Sequence, residues 1–165
     1  MKRKKNIIDD LSIRMRFEEI SDAEIITMIS ENVRDIEMGD RDGATLLWHA
    51  AFLNRQQVAE WLVKQGADIN TQDENHFSAL HIAVQERHID MVLYLLRNGA
   101  DVNIQDKFGN TPIMRTNRAT PVELLRILLE NGADVDIKNV AGVSCRDVAI
   151  AFPDMKELIE EYSRT

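Results

Sequence analysis

Apolar residues in this chain come in short bursts at helical spacing, separated by polar turns. Leu80, Ala83 and Val84 share one helix face, and Val92, Leu95 and Leu96 repeat the i, i+3, i+4 spacing shortly afterwards. Ser78 stands where it caps the first of these helices. The pattern predicts two short antiparallel helices and then a turn, Gly99-Ala100-Asp101-Val102-Asn103, whose glycine ends the second helix in a left-handed conformation. Near copies of that turn begin at Gly66 and Gly132, and both intervals are 33 residues. Gly43, Gly109 and Gly142 keep the interval on one phase, and Asp40, Asp73 and Asp106 on another. A period of this length predicts stacked units, because one helix pair cannot bury its apolar face whereas neighbours share a continuous core.

The two ends need sealing. Met155, Leu158, Ile159 and Tyr162 form one stripe of a last helix opened by Pro153, with Lys156, Glu157, Glu160 and Glu161 on the other side. At the start, Ser21-Asp22-Ala23-Glu24 carries a capping-box signal for a helix bearing Ile25, Ile26 and Ile29, and Ile7, Leu11 and Met15 extend the seal. Thr120-Pro121-Val122-Glu123 predicts a further capping box with proline at the first helical position.

Composition narrows the function classes. The 165 residues, 44% hydrophobic and 29% charged, suit one folded domain with a real core. A formal charge of −8 argues against a nucleic-acid surface and favours a basic partner. Residues 6–42 hold 11 acids against 4 bases, so much of the negative charge lies at the N-terminal end. Cys145 is the single cysteine, which points to a reducing compartment and a cytoplasmic location. Lys2-Arg3-Lys4-Lys5 is followed by Ile7-Ile8-Asp9-Asp10 rather than an apolar core, so the start reads as a basic mobile tail and not a signal peptide. No run is long and apolar enough for a membrane span.

The stretches "SALHIAV", "GADVN" and "DKFGNTP" resemble the ankyrin repeat. Ser78-Ala79-Leu80-His81 stands where that family writes Thr-Pro-Leu-His, while the neighbouring units have Thr45-Leu46-Leu47-Trp48 and Thr111-Pro112-Ile113-Met114. Those replacements remove the family's imidazole hydrogen bonds from two units. The resemblance implies an all-α ankyrin-repeat solenoid of antiparallel helix pairs with projecting β-hairpin-like loops, capped at both ends. Its divisions fall at a tail 1–6, an N-terminal cap 7–39, repeats 40–72, 73–105 and 106–138, and a capping repeat 139–165, all in one domain.

No residue constellation predicts catalysis. In the resemblance His81 is a structural, hydrogen-bonded residue and His88 a family position. His76, His81 and His88 belong to turn, core and helix entry, which does not suit a zinc site. Cys145 has no neighbouring histidine to activate it. The glycines are repeat punctuation rather than a phosphate loop, and Glu18-Glu19 and Glu160-Glu161 read as solvated surface. We therefore expect neither enzyme, cofactor nor metal.

In the family, partners bind along the loop tips and the inner side of each first helix. Carried onto this chain, the resemblance gives Arg41, Asp42, Phe52, Leu53, Glu74, Asn75, Phe77, Gln85, Glu86, Lys107, Phe108, Asn110, Arg115 and Arg118 as candidate partner-binding residues, with Val140, Val143 and Phe152 continuing the face. Four of the five phenylalanines fall on it, which predicts aromatic anchors. Thr116 and Asn117 replace the small apolar residues of the preceding unit, so the third unit's first helix must shift, shorten or find polar partners. Arg115, Asn117 and Arg118 then project beside Phe108, or Thr116 and Asn117 merely cap a shortened helix. The chain also resembles compact stand-alone ankyrin proteins of bacteria. That likeness implies a cytoplasmic immunity protein, monomeric when free, that neutralises a toxin, with a basic nuclease domain as one partner class. The alternative is an adaptor with several partners. Direct nucleic-acid and membrane binding are not expected.

Overall fold

The computed structural model describes residues 7–17, 20–116 and 119–163, without the Phe17 side chain. The basic tail, Glu18-Glu19, Asn117 and Arg118 lie outside the described residues. Among those described, nine α-helices and one 3-10 turn form five consecutive pairs: α1 (Ile7–Phe17) with α2 (Asp22–Asn32), α3 (Leu46–Phe52) with α4 (Gln56–Lys64), α5 (Ala79–Glu86) with α6 (Ile89–Arg97), the 3-10 turn Pro112–Arg115 with α7 (Val122–Glu130), and α8 (Cys145–Ala149) with α9 (Pro153–Tyr162). No strand forms among the described residues; bridges Gln72 to Ser78 and Lys138 to Ser144 are isolated.

The first members of the pairs make an inner row, with α3 packed on α5 and α5 on the 3-10 turn, while α2 lies against α4 and α7 against α9 in the outer row. Small residues on the inner row, Ala50, Ala51, Ala83 and Val84, are fully buried and let neighbouring helices approach closely. Behind them Val58, Leu62, Met91, Leu95, Leu124 and Leu128 fill the space between rows. Each such large side chain contributes about 1.5–3 kcal/mol by leaving water. Both ends seal largely as expected. Met155, Leu158 and Ile159 are buried and Tyr162 half-buried; at the other end Leu11, Met15, Ile25 and Ile29 are buried. Ile8 takes the deep position at the first turn of α1, leaving Ile7 half-buried beside it.

Two polar ladders repeat with the sequence. Asn70 donates to the Gly99 carbonyl at 3.2 Å and accepts from the Asp101 amide at 2.8 Å. Asn103 does the same with Gly132 at 3.0 Å and Asp134 at 2.8 Å. Above them, Glu37 from the cap accepts from the Asp68 amide. The residues before α4 and α6 also reach back one unit. His88 Nδ1 lies 3.0 Å from the Ala51 carbonyl, and Arg55 donates to the carbonyls of Ile20 and Met15, both at 3.0 Å.

Ser21 with Glu24, Ser78 with His81 and Ser144 with Asp147 form reciprocal capping boxes. The box predicted at Thr120 does not form: α7 starts one residue later with Pro121 at the N-cap, which has no side chain suited to capping. The expected disturbance of the third unit is a shortening, since its inner helix is a single 3-10 turn. In the first two repeats the chain turns between helices through left-handed Asn54 and Arg87. Their counterpart, Thr120, precedes a proline, and the pyrrolidine ring restricts it to extended backbone. Thr116 Oγ1 donates back to Ile113 O at 2.7 Å and closes the short turn.

Candidate functional site

Between the units the chain projects fingers toward the concave side. Each is closed by one side-chain oxygen at the same place in the repeat. Asp40 Oδ1 accepts from the amides of Asp42 and Ala44, Asp73 Oδ1 from Asn75 and Phe77, Asp106 Oδ1 from Phe108 and Asn110, and Asn139 Oδ1 from Ala141 and Val143, all between 2.8 and 3.1 Å. The fingers are also joined to one another. The amide of Glu74 donates to Asp42 O at 2.9 Å, Lys107 to Asn75 O at 3.0 Å and Val140 to Phe108 O at 2.9 Å. These bonds fix a strip of tip residues in a set order. One tip is unusual: His76 holds φ 59° where the other fingers place Gly43, Gly109 and Gly142.

The histidines belong to this scaffold. His81 Nδ1 accepts from Ser78 N–H at 3.2 Å, and Nε2 lies 3.1 Å from the Asn110 carbonyl in the next finger. Burial pushes its pKa down more than that carbonyl raises it, so the ring is neutral with its proton on Nε2. Sequence reasoning missed His49, whose Nε2 lies 2.8 Å from Asp40 Oδ2. Burial likewise holds its pKa below the usual histidine range, against the pull of Asp40, so a neutral imidazole donates to a carboxylate. The same place in the third repeat is Arg115, paired with Asp106 nine residues earlier, as His49 is with Asp40. Burial raises the Asp106 pKa, but the Asn110 and Phe108 amides and Arg115 more than offset it. In the second repeat the place is taken by buried Ile82. An acid at the finger base and a donor nine residues on was a signal available in the sequence.

The candidate binding residues divide into two groups. Arg41, Asp42, Glu74, Asn75, Gln85, Lys107 and Phe108 are exposed. The other candidates among the described residues are engaged in the fold, and Arg118 lies outside them. Phe52 is half-buried, stacked on Trp48 at 5.6 Å with the Arg16 guanidinium 4.7 Å above it. Phe77 packs edge-on to His81 at 5.7 Å and lies 4.4 Å beneath Arg115. Leu53 and Phe152 pack against the core. Half-buried Asn110 bonds to Asp106 and accepts from Asn139 Nδ2 at 2.9 Å. Glu86 is half-buried and accepts from Gln85. The expectation of a row of exposed aromatic anchors is therefore corrected: Phe108, 58% exposed, is the one on the list that stands free. Arg115 is corrected as well, since Asp106 and the Phe77 ring hold it down rather than letting it project beside Phe108.

Arg41 is tied at its exposed tip to α1, with Nε donating to Asp9 Oδ2 at 2.8 Å, and that bond raises its pKa. Helix α1 thereby walls the first end of the concave face. A cleft of about 480 Å³ opens between it and the first two repeats, lined among others by Ser12, Arg16, Asp42, Trp48, Phe52, Phe77 and Gln85. Trp48 replaces the family histidine here, and its buried indole N–H finds no acceptor among the described residues. Cys145 is buried in the last repeat, where burial pushes its thiol up to about 12 and keeps it protonated.

A family model described as "Ankyrin repeats (3 copies)" matches residues 19–106 and again 73–139. The chain belongs to the ankyrin-repeat family. Over 75 residues this ankyrin-repeat chain is 37% identical to "Potassium channel AKT1" of Oryza sativa subsp. indica, covering 46% of the chain and 8% of the channel. Over 61 residues, 36% of the chain, it is 35% identical to "Ankyrin repeat protein 14" of Vaccinia virus (strain Western Reserve), covering 26% of that protein, and to "Ankyrin repeat domain-containing protein OPG023" of Monkeypox virus, covering 9%. The similarity thus spans about a quarter or less of each relative's length. Ankyrin repeats imply a role in protein–protein interaction. Among the described residues no helix is long and apolar enough to cross a membrane.

Proposed function

We propose that this ankyrin-repeat protein binds another protein on its concave face without catalysing a reaction, as a cytoplasmic inhibitor that neutralises one toxin. The observation that carries the binding reading is the fingertip strip: exposed side chains held in fixed order by main-chain hydrogen bonds, so little ordering is left for the moment of association. The titratable groups that catalysis would call on, His49, His81 and Cys145, are buried and serve the scaffold. A net charge of −8 would steer a basic partner, such as a nuclease domain, and raise its association rate.

The test is affinity capture with the wild type and with Phe108→Ala plus Lys107→Ala, followed by co-expression of whatever is retained. The expected result is one stoichiometric partner, lost in the double variant, whose expression alone arrests growth and whose toxicity this chain relieves. A harmless partner overturns the inhibitor reading. Several substoichiometric partners would establish the adaptor instead, and a partner indifferent to both changes would move the binding site off the concave face.

A further inference from the structure

The order of residues along the fingertip strip specifies the chemistry of what docks there. Main-chain hydrogen bonds join the tips in three consecutive pairs, Asp42 with Glu74, Asn75 with Lys107 and Phe108 with Val140. Polarity runs from acidic, through amide and cation, to apolar. At the acidic end neither carboxylate has a hydrogen bond or ion pair with a described residue, and the nearby Arg41, on which Asp42 also acts electrostatically, bonds to Asp9. At the apolar end Phe108 is 58% and Val140 77% exposed, and Val143 at the base of the last finger is 36% exposed. An apolar patch on a protruding tip has no support from the core and is costly in water. The Asp42 and Glu74 side chains are both exposed, so their carboxylate oxygens are open to a partner's cation.

We propose that the strip receives one segment of the partner protein that carries a lysine or arginine against Asp42 and Glu74 and, further along, an aromatic or aliphatic side chain against Phe108, Val140 and Val143. This rests on the concave face being the binding surface. Charge complementarity selects the occupant's first end, the exposed apolar pair selects its second, and the fixed spacing of the fingers selects the separation between them. Lys107 lies between the two and disfavours a segment that is basic throughout.

The experiment selects a phage-displayed library of random dodecapeptides on the full chain, then measures enriched peptides by fluorescence polarisation. The expected consensus has a basic residue separated from an apolar one. Asp42→Lys plus Glu74→Lys should weaken such a peptide about tenfold, and replacing the peptide's basic residue by glutamate should recover binding to that variant. Phe108→Ser plus Val140→Ser should cost about thirtyfold. The changed side chains are exposed tips, and circular dichroism confirms that the variants fold. No enrichment, or a consensus of other chemistry that is still sensitive to strip changes, overturns the proposal and leaves the concave reading intact. Peptides indifferent to every strip variant overturn both. A dimer seen by sedimentation and abolished by Phe108→Ser plus Val140→Ser would assign the apolar end to a second copy and overturn the proposal.

Discussion

The second and third repeats have the same length, and their main-chain hydrogen bonds match at the finger and at the outer helix. They differ inside. The second has an eight-residue inner helix, a capping box made by His81 and a left-handed turn at Arg87. The third has a four-residue 3-10 turn, Met114 where the imidazole would be, and Pro121 after the turn residue. Its Thr111 is fully buried, and the hydroxyl has no partner among the described residues. The period therefore survives where the finger ladder and outer helix are kept, even when the inner helix is not. The histidine adds a capping bond inside its own unit and a bond to the next finger, neither of which the repeat period requires.

The strongest way to break the contrast is to make the second repeat like the third. His81→Met removes the bonds to Ser78 and to the Asn110 carbonyl, and should lower unfolding free energy by about 2–4 kcal/mol. Urea denaturation reads this, and a cost below about 0.5 kcal/mol would show that the imidazole is dispensable. Acid should act on the same group. Burial holds both His49 and His81 below the ordinary histidine range, so the unfolded chain takes up protons that the folded chain resists. Stability is then full above pH about 6.5 and declines as pH falls toward the folded values. The urea midpoint should drop from pH 7.5 to 5.5, less steeply in His81→Met; a midpoint that rises on acidification contradicts the assignment of neutral rings.

Arg115→Ile copies the second repeat's Ile82 into the third. It removes the Asp106 pair and the cover over Phe77, for an expected loss of about 1–2 kcal/mol. If calorimetry finds no loss, the guanidinium is not a fold element and its role as a groove residue reopens. Met114→His runs the other way, offering Thr111 a partner, and should raise stability by about 1 kcal/mol; a lower melting temperature would mean that the 3-10 turn cannot orient the ring. The smallest effect is expected at His76→Gly, where the left-handed conformation is relieved at some cost in chain entropy, for a gain of about 0.5 kcal/mol. An unchanged or lower melting temperature would show that His76 is not strained.

The repeat, its period and both seals were legible in the sequence because they depend on spacing, capping and turn residues, which are local. In the middle unit Ser78 marked the cap, and the structure adds His81 three positions on as its partner in a box. The candidate surface was legible only in part. Which fingertips protrude follows from the repeat register, so Asp42, Glu74, Lys107 and Phe108 fell in place. Whether an aromatic stands free depends on what another unit brings over it. Phe77 is covered by Arg115, 38 positions away, and Phe52 by Arg16 from the cap. No local pattern contains such contacts. Pro121 was misread for a related reason: its preference for the first helical turn pointed to a capping box, whereas the constraint it places on Thr120 weighed more.

Among the described residues the finger bonds run only between immediate neighbours. A row joined in this way has no closing contact from first to last, so loss of one joint divides it into two pieces that each keep their own core. The shortest inner element among the described residues, the 3-10 turn Pro112–Arg115, separates an N-terminal block from a smaller C-terminal one. A partner lying along the whole row bridges both blocks and acts as a splint, so its grip and the integrity of the far repeats rise and fall together.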